Sequence, residues 1–356
     1  MNVLTGYMAK EILKGAFIAL LFLLTLFNLF TFSDEMRDLG KGSYGLKEIA
    51  LYLALTSPRV LYELVPASAL LGSLFILGAM ANNRELIAMQ AAGLSVPGII
   101  RAVMTAGAIL VIISIAVGEY VAPGAERKAQ LIKATAQHDQ IPTRTLYGIW
   151  LRENNNFINV RRIEDNGDLA DISIYGLNNQ RRLQSALHAD QAVFLGDKQW
   201  QLKQIRQSDI SKEKMQAATF SEQRLTSSIA PDILKITVVN PDNLSVLELA
   251  KYVDFLKQNH QKSQVFELAL WGRLVNPFVT FVMLMISAPF VIGVKRGISV
   301  GARMIIGVII GLGFNIIDNI IGHLGLIYQL NAPLIALLPS LLTFIAAYWI
   351  LRRSYV

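Results

Sequence analysis

The sequence predicts an α-helical integral membrane protein with six transmembrane helices and an all-β domain inserted between the third and the fourth. Three observations carry that reading. The chain of 356 residues is 53% hydrophobic and only 17% charged, whereas a water-soluble globule carries nearer a quarter of charged residues. Its charges are segregated, so that residues 15–33, 64–83, 102–118, 274–294 and 319–351 contain no Asp, Glu, Lys or Arg. Between Gly124 and Glu267 the pattern inverts, with 19 Lys+Arg, 17 Asp+Glu and no long apolar run. Disorder is excluded because it requires low hydrophobicity. The absence of cysteine excludes a disulfide scaffold, thiolate metal sites and cysteine nucleophiles.

A bilayer-spanning helix needs about 20 mostly apolar residues, and the first four charge-free runs meet this when a flanking charge snorkels at either end. The fifth is too long for one helix and continues an apolar stretch that begins at Met304. It divides at His323-Leu324-Gly325 and Asn331-Ala332-Pro333, giving spans near 304–321 and 333–351. The chain is thus read as residues 1–123 with three spans, 124–267 as the inserted domain and its linkers, and 268–356 with three further spans. A cleaved signal peptide over residues 1–35 is opposed by the length of the apolar run and by Asp34-Glu35 directly after it.

With six spans both termini share a side. That side collects Lys10, Lys14, Arg84, Arg101, Lys295, Arg296, Arg303, Arg352 and Arg353. The short loops of the other side hold Arg37, Lys41, Lys47 and Arg59, partly balanced by Asp34, Glu35, Asp38 and Glu48. The positive-inside rule therefore places both termini in the cytoplasm and the inserted domain outside, in the periplasm of a Gram-negative cell.

Within the insertion, residues 157–163, 171–177, 192–195 and 200–205 are short and mostly alternating, and Asn-, Asp- and Gly-rich turns separate them. Strands at this spacing suggest a sandwich or an open barrel-like roll. A helical pattern resumes over Ser245–Lys257, with Leu247, Leu249, Ala250, Val253 and Leu256 as its apolar positions.

Enzyme chemistry finds little foothold. There is no Gly-x-x-x-x-Gly-Lys-[Ser/Thr] loop to cradle nucleotide phosphates. Histidines 138, 188, 260 and 323 stand far apart and lack metal-ligand spacing. His188 near Asp190, with Ser185 before it, reads as a surface cluster, because no nucleophile elbow accompanies it. The arginine pairs 161/162 and 181/182 read as a solvated strand face rather than a nucleic-acid site, since the domain's net charge is only about +2. No catalytic residue, cofactor or metal is assigned.

Four features do carry information. Residues 82–93 form a loop segment in which Asn82 or Asn83 caps a short helix, Leu86, Met89 and Ala92 share a face, and Gly93 stops it. It is either a lever offered to a cytosolic motor, with Arg84, Glu85 and Met89 as its contact residues, or a membrane-surface helix. Gly307-x-x-x-Gly311, after Gly297-x-x-x-Gly301, lets helix backbones approach closely, within this chain's bundle or at a subunit interface. Asp318, with Asn315 and Asn319, faces either a partner or solvent near a helix end. Finally, the stretch from Phe30 to Lys41 sets Arg37 and Lys41 four residues apart beyond the first span. They can meet lipid phosphates, or Arg37 can pair with Asp34 or Asp38.

Taken together, Arg84-Glu85-Leu86-x-x-Met89-Gln90-Ala91-x-Gly93, Gly42-Ser43-Tyr44 after the first span, and the six-helix pattern with its β insertion resemble the LptF/LptG permeases over essentially the whole chain. Residues 172–175, Arg181-Arg182-Leu183-Gln184-Ser185, Pro241-Asp242-x-Leu244-Ser245 and Asp318 are more similar to the LptG side of that family than to the LptF side. The resemblance implies a β-jellyroll-like periplasmic domain and the role of permease subunit in an ABC transporter for lipopolysaccharide. It implies a heterodimer with an LptF-type permease, a cytosolic LptB-type ATPase dimer, and an LptC-type acceptor, with membrane lipid and no nucleic acid as surroundings. Glu85 matches the acidic position of the family's coupling helix. Arg37 and Lys133 match basic positions facing the lipid-accepting cavity, and Phe30, Asp34 and Lys41 stand beside them; Asp38 occupies a position where lysine is common. It also implies that the first and fifth helices form lateral gates, with Gly307, Gly311 and Asp318 on the fifth. A lipoprotein-releasing or mechanotransmitting subunit is the alternative, but such proteins carry four spans with the large domain after the first. A lipid-acting membrane enzyme would need clustered His, Asp or Glu at one membrane face, which these charge-free spans lack.

Overall fold

The computed structural model describes residues 3–137, 144–164, 167–178, 180–211, 214–231, 233–234, 240–292 and 300–354. His138, Lys295, Arg296 and Gly297, named above, lie outside them. Among the described residues six helices are long and apolar enough to cross a membrane. They belong to one unit, residues 1–39, 45–129 and 264–356; residues 40–44 and 130–263 form a second.

In the first unit, α1 (Val3–Glu35) is followed by a 3-10 turn (Met36–Asp38) and, after residues 40–44, by α2 (Leu46–Asn82), the short α3 (Glu85–Ala91) and α4 (Val96–Ala116). After the insertion come α7 (Gln264–Ile292), α8 (Val300–Ile327) and α9 (Ala332–Ser354). The two last spans separate at residues 328–331, beside Asn331-Ala332-Pro333 as expected, whereas His323-Leu324-Gly325, the other expected break, lies inside α8. Gln264 closes that corner by donating through Nε2 to the carbonyls of Gly325 (3.0 Å) and Leu330 (2.6 Å).

Helix α2 is the core of the bundle. One of its faces (Ala69, Leu77, Met80) packs with Met8 and Ile12 of α1, Ile99, Ala102 and Ala106 of α4, and Leu284 of α7. Another face (Leu70, Leu74) packs with Val275, Val279 and Val282 of α7 and Ala347 of α9. Two thirds of its apolar window (67%) is buried, against 11% for α1 and 6% for α8. Those two spans therefore present most of their apolar surface outward from the chain.

The tightest helix crossing is between α1 and α2, at Gly15 and Gly72. A Cβ on Gly72 would fall inside 3.0 Å of the backbone N and Cα of Ala16 and the carbonyl carbon of Gly15, so backbone meets backbone there. This is the small-residue contact that brings membrane helices together.

The third span does not end near residue 118. It passes through a π-turn at Val117–Val121 and continues as α5 (Ala122–Gln137). Pro123 is the cause. It has no N–H to return to the preceding turn, and the ladder widens so that Ala122 N–H reaches the Val117 carbonyl. Residues 124–137, placed in the β insertion on charge content, are therefore helical through residue 137.

The second unit is built on a six-stranded antiparallel sheet in simple meander order: β1 (Arg144–Glu153), β2 (Asn156–Ile163), β3 (Leu169–Leu177), β4 (Leu183–Gly196), β5 (Gln199–Ile210) and β6 (Met215–Thr226). β1 and β6 were not read from sequence. β6 is exposed along nearly its whole length, so no apolar alternation marks it. Helix α6 (Val246–Gln258) starts at a capping box, with Ser245 N–H donating to Glu248 Oε2 at 3.0 Å and Glu248 N–H to Ser245 Oγ. It buries Leu249, Tyr252, Val253, Phe255 and Leu256, whereas Leu247, expected on the apolar face, is 73% exposed.

Candidate functional site

The loop segment after α2 is helical where the sequence placed it, but its start differs. Neither Asn82 nor Asn83 caps it. Asn83 closes α2, and Arg84 turns the chain with a left-handed backbone (φ 62°) before α3 begins at Glu85. Gly93 (φ 93°) ends it, with its N–H on the Gln90 carbonyl and Leu94 N–H on that of Met89. Leu86 and Met89 are buried among Met8, Ile12, Leu77 and Met80. Met89 is thus a seat for the helix rather than a contact residue, and Ala92 lies on the exposed side. Arg84, Ile87, Ala88 and Gln90 face outward, and Glu85 receives a hydrogen bond from Asn83 Nδ2 at 3.3 Å. The result is a short helix whose apolar side is fixed to three membrane helices, so force on its outer face reaches α1, α2 and α4 together.

Beyond α1 the expected phosphate ligands separate. Asp34 and Arg37 lie 3.6 Å apart, one turn from each other, with side chains 71% and 81% exposed, a pairing that water weakens. Phe30 is exposed. Residues 40–44 belong instead to the second unit and hook onto the end of α5. Ser43 N–H donates to the Ala136 carbonyl at 2.7 Å, and Tyr44 is almost fully buried. Gly42 has φ 58°, and a Cβ there would strike the Ala136 carbonyl oxygen. This explains Gly42-Ser43-Tyr44 as a unit. Lys133, one turn back on α5, holds its Nζ 6.0 Å from the Tyr44 ring centre, and Lys41 shares the hook.

Gly307 serves the interior. Its Cβ position is filled by Leu74 and Leu71 of α2, and Gly311 stands 4.0 Å from Leu70. The spacing is thus used for packing inside this chain. Asp318 lies on the exposed face of α8 with Asn315, Asn319 and His323; Asn319 donates to the Asn315 carbonyl (2.8 Å), and His323 Nδ1 meets the Asn319 carbonyl (2.7 Å). Arg303, counted among the surface cations, is 5% exposed and donates to the Gly78 carbonyl of α2.

Sequence reasoning missed an ionic knot. Arg273 of α7 donates to the Gly118 carbonyl at 3.2 Å, one that the π-turn and Pro123 leave without a backbone donor. It also lies 3.6 Å from Glu119 and stacks over the Tyr62 ring, whose hydroxyl donates to the Arg273 carbonyl. Close by on the same helices, Arg59 lies 3.2 Å from Glu63 and 3.5 Å from the buried Glu126. The signal was available: Glu63 and Arg273 each stand directly before a charge-free run and Glu119 directly after one, which sets them at one depth.

On the sheet, Arg161–Asp171 (3.3 Å) and Arg206–Asp190 (3.5 Å) are cross-strand ion pairs, and His188 lies 3.3 Å from Asp190 on its own strand. His188 meets Ser173 (3.2 Å), and Ser185 pairs with Gly176 instead. Arg161 fits the solvated strand face expected of it. Arg181 does not, because it sits in the β3–β4 turn.

Comparison with known proteins agrees with this architecture. Residues 6–353 match the family described as lipopolysaccharide export system permease LptF/LptG. The lipopolysaccharide export system permease protein LptG of Escherichia coli (strain K12) is 33% identical over 355 residues, covering 99% of both chains. Its counterpart in Haemophilus influenzae is 32% identical over 354 residues, again covering 99% of both. A full-length match to that family, on a bundle of six apolar helices interrupted by an antiparallel sheet, leads to one conclusion: the chain belongs to the LptF/LptG family of lipopolysaccharide export permeases.

Proposed function

We propose that this chain is the LptG-type permease subunit of an ABC transporter that takes lipopolysaccharide from the outer leaflet of the bacterial inner membrane and passes it to a periplasmic bridge. The observation that carries this is the agreement with LptG proteins over 99% of each chain. The outward apolar faces of α1 and α8 support it, because a span that keeps an apolar face outside its own chain's bundle is available to a second permease and to acyl chains. The partners are then an LptF-type permease as heterodimer, an LptB-type ATPase dimer and an LptC-type acceptor. The chain is multi-pass, with both termini cytoplasmic and the sheet periplasmic, and ATP is hydrolysed by the separate ATPase.

The mechanism follows from size and polarity. Lipopolysaccharide needs an apolar cavity open sideways for its acyl chains and cations for its phosphates. Lys41 and Lys133 on the hook, and Arg37 at the end of α1, supply the cations; each contact contributes about 1.5–3 kcal/mol when shielded and nearer 0–1 when exposed. Glu85 and Arg84 receive the work of the ATPase, and Leu86 and Met89 transmit it into α1, α2 and α4. Asp318 and its amide neighbours give α8 a polar strip on its gate face. Purification of the tagged chain from its membrane should return a second permease, an ATPase and lipopolysaccharide, and reconstitution of that complex should release lipid only with ATP. Recovery of the chain alone, or with an ATPase but without lipopolysaccharide, refutes the assignment.

A further inference from the structure

At one end of the sheet two turns meet and enclose a cavity of about 530 Å³, lined by Arg152, Asn155, Phe157, Leu177, Asn178 and Arg181. The volume lies within the range of small-molecule sites. The β1–β2 and β3–β4 turns are tied together, with Leu177 N–H donating to the Asn155 carbonyl at 3.0 Å.

Both arginines are held in place. Arg152 donates through Nε to the Asn154 carbonyl (2.9 Å), and its guanidinium lies 5.6 Å from the centre of the Phe157 ring directly across the ladder. Its own carbonyl is fixed by Gln261. Arg181 sits in a left-handed backbone (φ 58°), a conformation costly to a residue with a Cβ. Asn178 imposes it, accepting through Oδ1 from the N–H groups of Gln180 and Arg182, both at 2.9 Å.

On the same domain Arg161, Arg162 and Arg206 each have a carboxylate within 4 Å. Among the described residues Arg152 and Arg181 have none, which is true also of Arg182 and Arg224, but it is this pair that lines the cavity. Two guanidiniums without a counter-charge give the cavity a positive charge, and their planar forks suit phosphate oxygens. The remaining walls are an aromatic ring, a leucine and two side-chain amides, which match the apolar faces and hydroxyls of a sugar.

We propose that this cavity binds a phosphorylated sugar, its phosphate between Arg152 and Arg181 and its ring against Phe157 and Leu177. The chemistry rests on these side chains alone. That the sugar belongs to a glycolipid headgroup rests on the function proposed above.

The test uses the full chain in detergent and three probes: glucosamine 1-phosphate, inorganic phosphate and N-acetylglucosamine. The ester should bind at least tenfold more tightly than the neutral sugar. An Arg152→Ala, Arg181→Gly double variant should lose at least tenfold of that affinity at an unchanged melting midpoint, since glycine relieves the left-handed turn. Phe157→Ala should weaken the ester and leave phosphate binding as it was. Equal ester affinity in wild type and double variant, or equal affinity for ester and neutral sugar, overturns the proposal. A photocrosslinker at Leu177 in the assembled complex separates the sources: a lipopolysaccharide adduct assigns the headgroup, and ester binding without an adduct assigns a free sugar phosphate. None of the soluble-probe readouts depends on transport, so failure of the transporter assignment is distinguishable from failure of this site.

Discussion

Substituting Gly72 by alanine tests whether the α1–α2 crossing holds the bundle together. The added methyl group would lie inside 3.0 Å of three backbone atoms of Gly15 and Ala16, whereas ordinary contact begins near 3.4 Å. No rotamer relieves this, because both sides are backbone. The helices must part by about half an ångström or more, which also loosens the neighbouring contacts of Met8 and Ile12 with Leu77 and Met80. Overpacking of this kind costs about 1–3 kcal/mol, and immovable neighbours put Gly72→Ala at the upper end. Gly313→Ala is the matched control: nothing lies within 4 Å of its Cβ position, and alanine should gain about 0.5–1 kcal/mol of helix propensity. Thermal unfolding in detergent should therefore show a lowered midpoint for Gly72→Ala and an equal or raised one for Gly313→Ala. A disulfide introduced between the two helices would report their separation. An unchanged midpoint and unchanged crosslinking in Gly72→Ala would refute the crossing as described.

Arg273→Met should destabilise the bundle by about 2 kcal/mol, less than a fully buried pair because Glu119 is partly hydrated, with the unfolding midpoint as readout. Gly42→Ala should release the hook from α5 at a cost of about 1–3 kcal/mol, through the left-handed backbone and the clash with Ala136; limited proteolysis near residues 40–44 would detect it. Glu85→Ala should lower ATP-driven lipid release without affecting membrane insertion, and Glu85→Lys should lower it further, by about tenfold, if a basic partner faces it. The triple variant Arg37→Ala, Lys41→Ala, Lys133→Ala should carry much less co-purified lipopolysaccharide than any single variant, and equal occupancy would remove these residues from the lipid site.

The membrane topology was legible because the bilayer imposes a one-dimensional rule. A span must shed its charges, and six spans appear in the expected order, although the third runs on to residue 137 and the fifth to residue 327. Side chains that choose between faces were less legible. Leu247 and Met89 exchange the roles expected of them, because the direction from which a neighbour covers a short helix is not written in its own periodicity. The same holds for Gly307, whose spacing announces close approach without naming the partner, while Gly15 and Gly72 announce nothing because neither has a second glycine four residues away. Pro123 stands at the boundary that the change in charge content suggested. In the structure it widens one turn, and an arginine from another helix then accounts for the freed carbonyl.

These substitutions of one donor for another have a mechanical consequence. Arg273 satisfies Gly118 from α7, and Arg59 reaches Glu126 from α2, so the third span is joined by charges to α2 and α7, while apolar packing joins α2, α4 and α7. Membrane helices gain no hydrophobic benefit from packing on one another, so a charge-assisted bond inside the bundle is a strong local restraint. The same kind of bond ties α8 to α2, where buried Arg303 donates to the Gly78 carbonyl at 3.2 Å. Asn28 Nδ2 of α1 likewise donates to Ser57 Oγ of α2 at 3.1 Å, beyond the Gly15–Gly72 crossing. Helix α2 is therefore held to each of these neighbours by a polar bond as well as by close packing, while the remaining apolar faces of α1 and α8 point outward from the chain.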